Sequence, residues 1–223
     1  MLNINICTGD EFTITDTVFL DITSDKMDYG TVVIGLFGDK VPKTVKNFKT
    51  IITKGIDGKT YVGTQIFRVV KKFIIQGGDL VYNNGSGSVS IYGKYFKDES
   101  FNISHKEPGL VGMANKGKNT NGCQFYITTA PAPWLDGNHV IFGKVLKGQR
   151  VIHAIERAPT NNLDTPIFNI TIKNVGVLDL KKPYSFSSEH YDLWDWLSAS
   201  AVPLTLSFSI LGIFQCMISK LHC

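Results

Sequence analysis

The sequence predicts a mainly β fold, a barrel or a sandwich with two helices, followed by a C-terminal segment able to enter a membrane. Three observations predict it. From Tyr61 to Lys147 the apolar runs are four to six residues long and are broken by Gly, Asn and Pro. Such runs suit strands and fall short of helices. Two stretches with helical spacing flank that region. No charged residue stands between Asp195 and Lys220.

Phe12–Ile22, rich in Thr, Val, Ile and Phe, reads as a strand. Asp28–Gly30 reads as a turn and Thr31–Phe37 as a second strand, which together make a hairpin. A helix follows. Pro42 suits its first position, where a missing N–H costs nothing. Val45, Phe48 and Ile52 form one stripe, and Gly55 fits a left-handed stop. Ile66–Val70, Phe73–Gln76, Gln124–Thr128 and Val140–Val145 read as short strands. A second helix is expected over Gly148–Arg157, with Val151, Ile152 and Ile155 on one side and Pro159 ending it. Phe168, Ile170 and Ile172 alternate with polar neighbours, the signature of a half-buried strand. The domain is expected to span 12–179 after a short lead, 1–11.

Residues 180–195 read as a polar, aromatic-studded linker. The stretch 196–219 is then long enough to cross about 30 Å of hydrocarbon. Trp194 and Trp196 stand where indoles anchor at an interface. Pro203, several hydroxyls and Gln215 lower its apolarity, so a helix lying in the interface is the competing reading. Residues 220–223 form a tail.

Composition narrows the function. The 223-residue chain carries a net charge of +4, and its Lys and Arg are scattered. A nucleic-acid surface needs a basic stripe, so that class is set aside. Cys7, Cys123, Cys216 and Cys223 form no CxxC pair, so no zinc or dithiol site is expected. Cofactors and metals are not called for.

The chemistry sits in a few blocks. Phe67 to Asp79 reads FRVVKKFIIQGGD. Then come Met113-Ala114-Asn115, Asn119 to Tyr126 (NTNGCQFY), and Trp134 to Gly143 (WLDGNHVIFG). In this order and spacing they resemble the cyclophilin family over roughly Phe12 to Asp179. The resemblance implies a closed eight-stranded antiparallel barrel capped by two helices. It also implies a peptidyl-prolyl cis/trans isomerase acting on proline-containing polypeptides. Arg68 matches the catalytic arginine, and Gln76 the glutamine that supports it. Phe73, Ile74, Tyr126, Leu135 and His139 match the proline pocket. Ala114, Asn115 and Gln124 match the adjoining groove, with Asn115 expected to bond the substrate backbone. Trp134 matches the flanking tryptophan. Taken singly, each of these would pass for an ordinary core or surface residue.

The chain departs from the family pattern at four places. Ile66-Phe67 replaces the usual Phe-His. Ile74 stands where Met is common, Tyr126 where Phe is common, and Lys116 where a small residue is common. The Tyr126 hydroxyl is expected to bring polarity to the pocket floor, and Lys116 to narrow and charge the groove. A slower, choosier isomerase with weakened cyclosporin binding follows.

Tyr61-Val62-Gly63, Ser90-Ile91-Tyr92-Gly93 and the aromatic linker with its anchor resemble the membrane-anchored, opsin-directed branch of insect photoreceptors. That implies an opsin client and the secretory pathway. A client-binding chaperone or scaffold with weak isomerase activity is the alternative. Lys220 beyond the anchor and Glu189, Asp192 and Asp195 before it place the domain in the endoplasmic-reticulum lumen. Sequons at Asn84, Asn102 and Asn169 agree with that side. Met1–Asp10 shows no secretory leader, which favours a cytosolic domain instead. The lumenal reading requires a start upstream.

Overall fold

The computed structural model describes residues 11–180 and 182–187. Residues 13–185 make one compact unit. Its main sheet has eight antiparallel strands: β2 (Asp16–Ser24), β3 (Asp28–Leu36), β4 (Ile66–Val70), β5 (Ile74–Gly77), β6 (Leu110–Met113), β7 (Phe125–Thr128), β8 (Ile141–Lys147) and β9 (Ile170–Leu178). Their order is β4-β5-β7-β6-β8-β3-β2-β9. The ends of this row meet at one bridge, Gln65 to Thr171, with Ile172 N–H donating to the Thr64 carbonyl. The barrel is therefore nearly closed, where a fully closed one was expected. β1 (Glu11–Ile14) pairs with β10 (Tyr184–Ser187) in a separate two-stranded sheet.

Alternation decides the interior. Val18, Leu20 and Ile22 of β2, Val32 and Ile34 of β3, and Ile75, Val111 and Ile127 of the site strands all lie in one core. α1 (Pro42–Thr53) lays Val45, Phe48, Ile51 and Ile52 against it, with Pro42 in its first turn as read. Phe48 meets the rings of Tyr61, Phe125 and Phe142 at 4.9–5.3 Å. Burying each such ring is worth about 1.5–3 kcal/mol. Val41 offers α1 no side-chain cap. The Glu99 carboxylate does so instead, accepting from the N–H groups of Lys43 and Thr44 at 2.9 and 2.8 Å. A carboxylate there also complements the positive end of the helix dipole. α2 (Gln149–Glu156) buries Ile152 and Ile155.

Three boundaries differ from the sequence reading. The first strand breaks at Thr15, whose hydroxyl accepts from Gly38 N–H. The β2–β3 turn lies at Ser24–Met27, because the Ser24 hydroxyl accepts from the N–H groups of Lys26 and Met27. Asp28–Gly30 instead belongs to β3, where Gly30 (φ +105°) sits at a register shift. The expected linker contains β10, whose Tyr184-Ser-Phe-Ser alternates aromatic and polar residues. The apolar segment 196–219 lies outside the described residues. Among those described, no helix is long and apolar enough to cross a membrane.

Candidate active site

Strand periodicity places the site. On β5, Ile75 points into the core, so Ile74 and Gln76 face outward. On β7, Phe125 and Ile127 point inward, leaving Gln124, Tyr126 and Thr128 on the outer face. Register then aligns four residues in one row. Arg68 of β4 is opposite Gln76, Gln76 is opposite Tyr126, and Tyr126 is opposite Gly112 of β6. Residues far apart in sequence thus share one outward patch.

Arg68 is half-exposed, with its Nε 3.6 Å from an Asp164 carboxylate oxygen. Asp164 rides on the loop after α2 in a left-handed conformation (φ +62°), and its carbonyl accepts from Val69 N–H. Gln76 donates to the Gln124 side-chain oxygen at 3.0 Å. Gln124 in turn donates to the carbonyls of Gly85 and Gly87. The loop those glycines belong to is organised by Asp79, a buried residue whose carboxylate accepts five backbone N–H groups, from Val81, Tyr82, Asn84, Gly85 and Gly87. Burial works against its charge, yet these bonds hold the carboxyl below the usual range.

The aromatic part lies beside this row. The β4–β5 turn runs through Lys72 (φ +55°), whose N–H donates to Glu156 of α2. That turn presents Phe73, whose ring is 5.3 Å from that of Trp134. Trp134 is exposed and Leu135 half-buried on a single 3-10 turn, Pro133–Leu135. Ile74 is buried. The Tyr126 ring is buried between two imidazoles, edge-on to His139 at 5.6 Å and stacked with His105 at 6.0 Å. His139 Nδ1 is 3.0 Å from the Met113 carbonyl. A carbonyl only accepts, so Nδ1 carries a proton.

One expectation is corrected. The Tyr126 hydroxyl does not polarise the pocket floor, because it is bonded to His105 Nε2 at 2.7 Å. The Asn115 side chain donates to the Asn138 carbonyl and accepts from Gly117 N–H. Ala114 N–H donates to the Gln124 carbonyl, which ties the two groove positions together. Lys116 spans the recess lined by Gln76, Ala114 and Gln124, donating to the Ser86 carbonyl at 3.1 Å. Sequence reasoning missed His105, Asp136, Asp79 and Gly112. Asp79 and Asp136 stood inside the quoted blocks, but nothing in their local sequence separated them from surface carboxylates, and nothing around His105 hinted at burial.

Known proteins are similar to this chain in sequence. A family model described as cyclophilin type peptidyl-prolyl cis-trans isomerase matches residues 19–177. The rhodopsin-specific isozyme of peptidyl-prolyl cis-trans isomerase from Calliphora vicina is 44% identical, covering 96% of this chain and 91% of that protein. Peptidyl-prolyl cis-trans isomerase D of Saccharomyces cerevisiae is 43% identical over 77% of this chain and 76% of its own length. An isomerase of Rhizopus delemar is 46% identical, over 76% of this chain and 52% of that protein.

Proposed function

This chain belongs to the family of cyclophilin-type peptidyl-prolyl cis-trans isomerases, and from that premise we propose that the row Arg68–Gln76–Tyr126 with its aromatic flank is the isomerase site. The observation that carries the reading is the register. It sets a fixed, forked donor one strand away from a support and two strands away from a buried ring.

The reaction needs no more than this. An X–Pro bond turns over a barrier of about 18–20 kcal/mol, set by amide resonance. Both isomers are populated, so the catalyst need only favour the twisted amide. Twisting breaks the resonance and makes the prolyl nitrogen a better acceptor. The Arg68 guanidinium, with its fixed fork of N–H donors, donates to it. Gln76 supports the substrate backbone next to Arg68. Phe73, Ile74, Tyr126, Leu135 and His139 enclose the pyrrolidine ring, which is apolar and flat. The Asn115 main chain, with Ala114 and Gln124, holds the residues before the proline. The chain ahead of the proline then rotates while the ring stays seated.

The client we propose is a membrane protein of opsin type. The rhodopsin-specific naming of the Calliphora relative supports this, as does the uncharged segment 196–219. An anchored domain would meet client loops at high effective concentration. A lumenal domain agrees with the exposure of Asn84, Asn102 and Asn169. If the segment spans, the full chain resists carbonate extraction, and truncation after Asp195 releases a soluble, still active isomerase that delivers the client poorly. Carbonate release of the full chain would overturn both the anchor and the membrane client. A chaperone or scaffold with weak catalysis is favoured by one observation, the Lys116 strap across the groove. Near-background turnover with intact client capture would select it.

A further inference from the structure

His105 is fully buried on the segment before β6, and four of its bonds converge on the pocket. Its ring Nδ1 lies 2.6 Å from Asp136 Oδ1, and its backbone N–H donates to the same oxygen at 2.8 Å. Its carbonyl accepts from Ala132 N–H at 2.8 Å. Its Nε2 lies 2.7 Å from the Tyr126 hydroxyl. Ala132 and Asp136 bracket the turn that carries Trp134 and Leu135. One residue therefore clamps the wall at both ends and also holds the floor.

The proton order follows from the partners. A carboxylate only accepts, so Nδ1 carries the hydrogen that Asp136 receives. With the ring neutral, Nε2 is bare and Tyr126 must donate its O–H to it. Burial favours this neutral state more than the bond to Asp136 opposes it, and nearby His139 also disfavours a second positive charge. The Asp136 carboxyl, although partly desolvated, is held below the usual range by the His105 bonds and by Lys106. The groups facing the imidazole are thus Asp136, Tyr126 and His139, with Lys106 acting on Asp136.

We infer that His105 is a positioning residue of the isomerase site, holding the Tyr126 floor and the Trp134–Leu135 wall in place only while its ring is neutral. The inference rests on this groove being the proline site. Protonation turns Nε2 into a donor. The Tyr126 oxygen must then accept, and its hydrogen has to find another acceptor inside a packed wall. Tyr126 is only 2% exposed, and its hydroxyl fills the space over Gly112. The floor shifts, and the proline seat is lost in acid. No atom of His105 touches the substrate.

The test uses the full chain in detergent or lipid. NMR exchange spectroscopy of a short Ala-Pro peptide reads isomerisation at acid pH, where protease-coupled assays fail. The His105 Cε1–H resonance is titrated alongside. In the parent, kcat/KM falls along a one-proton curve whose midpoint matches His105 and lies below that of an ordinary imidazole. Tyr126→Phe removes the donor that favours the neutral ring. The His105 midpoint then moves up, and the acid loss of kcat/KM disappears because nothing links the ring to the floor. Asp136→Asn removes the charge that favours imidazolium, and both midpoints move down. An acid limb unchanged in both variants, or one that does not track His105, overturns the inference. A parent inactive at every pH, with the His105 shifts intact, would instead strike the site assignment.

Discussion

A side chain on Gly112 would overlap the hydroxyl oxygen and the Cζ of the Tyr126 ring. The two residues face each other across β6 and β7. The missing side chain at one position is the space that the larger ring at the other occupies. Gly112→Ala should therefore destabilise the domain by about 1–3 kcal/mol, the usual cost of overpacking. Combining it with Tyr126→Phe should recover only part of that loss, since Cζ remains in the way. Thermal melts of the four proteins give the coupling. A Gly112→Ala variant as stable as the parent would show that the ring moves freely.

Arg68→Ala should lower kcat/KM by about 10²–10³, the usual loss for one preorganised donor. Stability should be unchanged, because the side chain is half-exposed and its one ion pair, to Asp164, is at the surface. Arg68→Lys should recover little, since an ammonium lacks the planar fork. Peptide kinetics beside a melting curve check this. Equal rates in parent and Arg68→Ala would remove Arg68 from the chemistry.

Lys116 should make the groove prefer acidic residues near the substrate proline, through attraction at low salt. Its ammonium sits on the Ser86 carbonyl, so an acidic substrate residue has to draw it away. Lys116→Ala should flatten the preference and open the recess to larger side chains. A peptide panel indifferent to charge at low ionic strength would count against it.

Asp79 links groove shape to acid stability. Its folded-state pKa is depressed by backbone N–H bonds. The stability it supplies is therefore complete above the ordinary carboxyl value, near pH 4, and is lost as pH falls through the depressed folded value. Asp79→Asn should cost about 1.5–3 kcal/mol at neutral pH. It should also speed hydrogen exchange at the Gly85 and Gly87 amides more than elsewhere. Uniform exchange across the barrel would mean that Asp79 does not hold this loop in particular.

Local elements were the most legible part of the sequence. Ile66–Val70 is a strand within the bounds read from its composition, and Pro42 opens a helix, a position its fixed φ suits. The β2–β3 turn was misplaced because Gly30 looks like a turn glycine, whereas a Ser24 hydroxyl three residues from Met27 sets the reversal. The candidate site could be proposed from sequence only through whole blocks of family pattern. Nothing in Phe73 or Leu135 alone separates a pocket wall from a core residue. His105 and Asp136 were illegible for a physical reason: their bond spans 31 residues, and neither periodicity nor spacing reports a contact of that range.

β4 lies at one end of the strand order, and the segment just before it is tied to β9 by the Gln65–Thr171 bridge and by bonds of Ile172 to Gly63 and Thr64. Beyond that bridge its outer edge would offer main-chain groups to any extended peptide. The Asp164 carbonyl takes the Val69 N–H instead. An isomerase handles unfolded segments at close range, and an open strand edge beside the pocket would let them zip on and nucleate aggregates. With that N–H taken by the chain's own loop, an extended segment finds the ladder along β4 interrupted at Val69, which disfavours its pairing there.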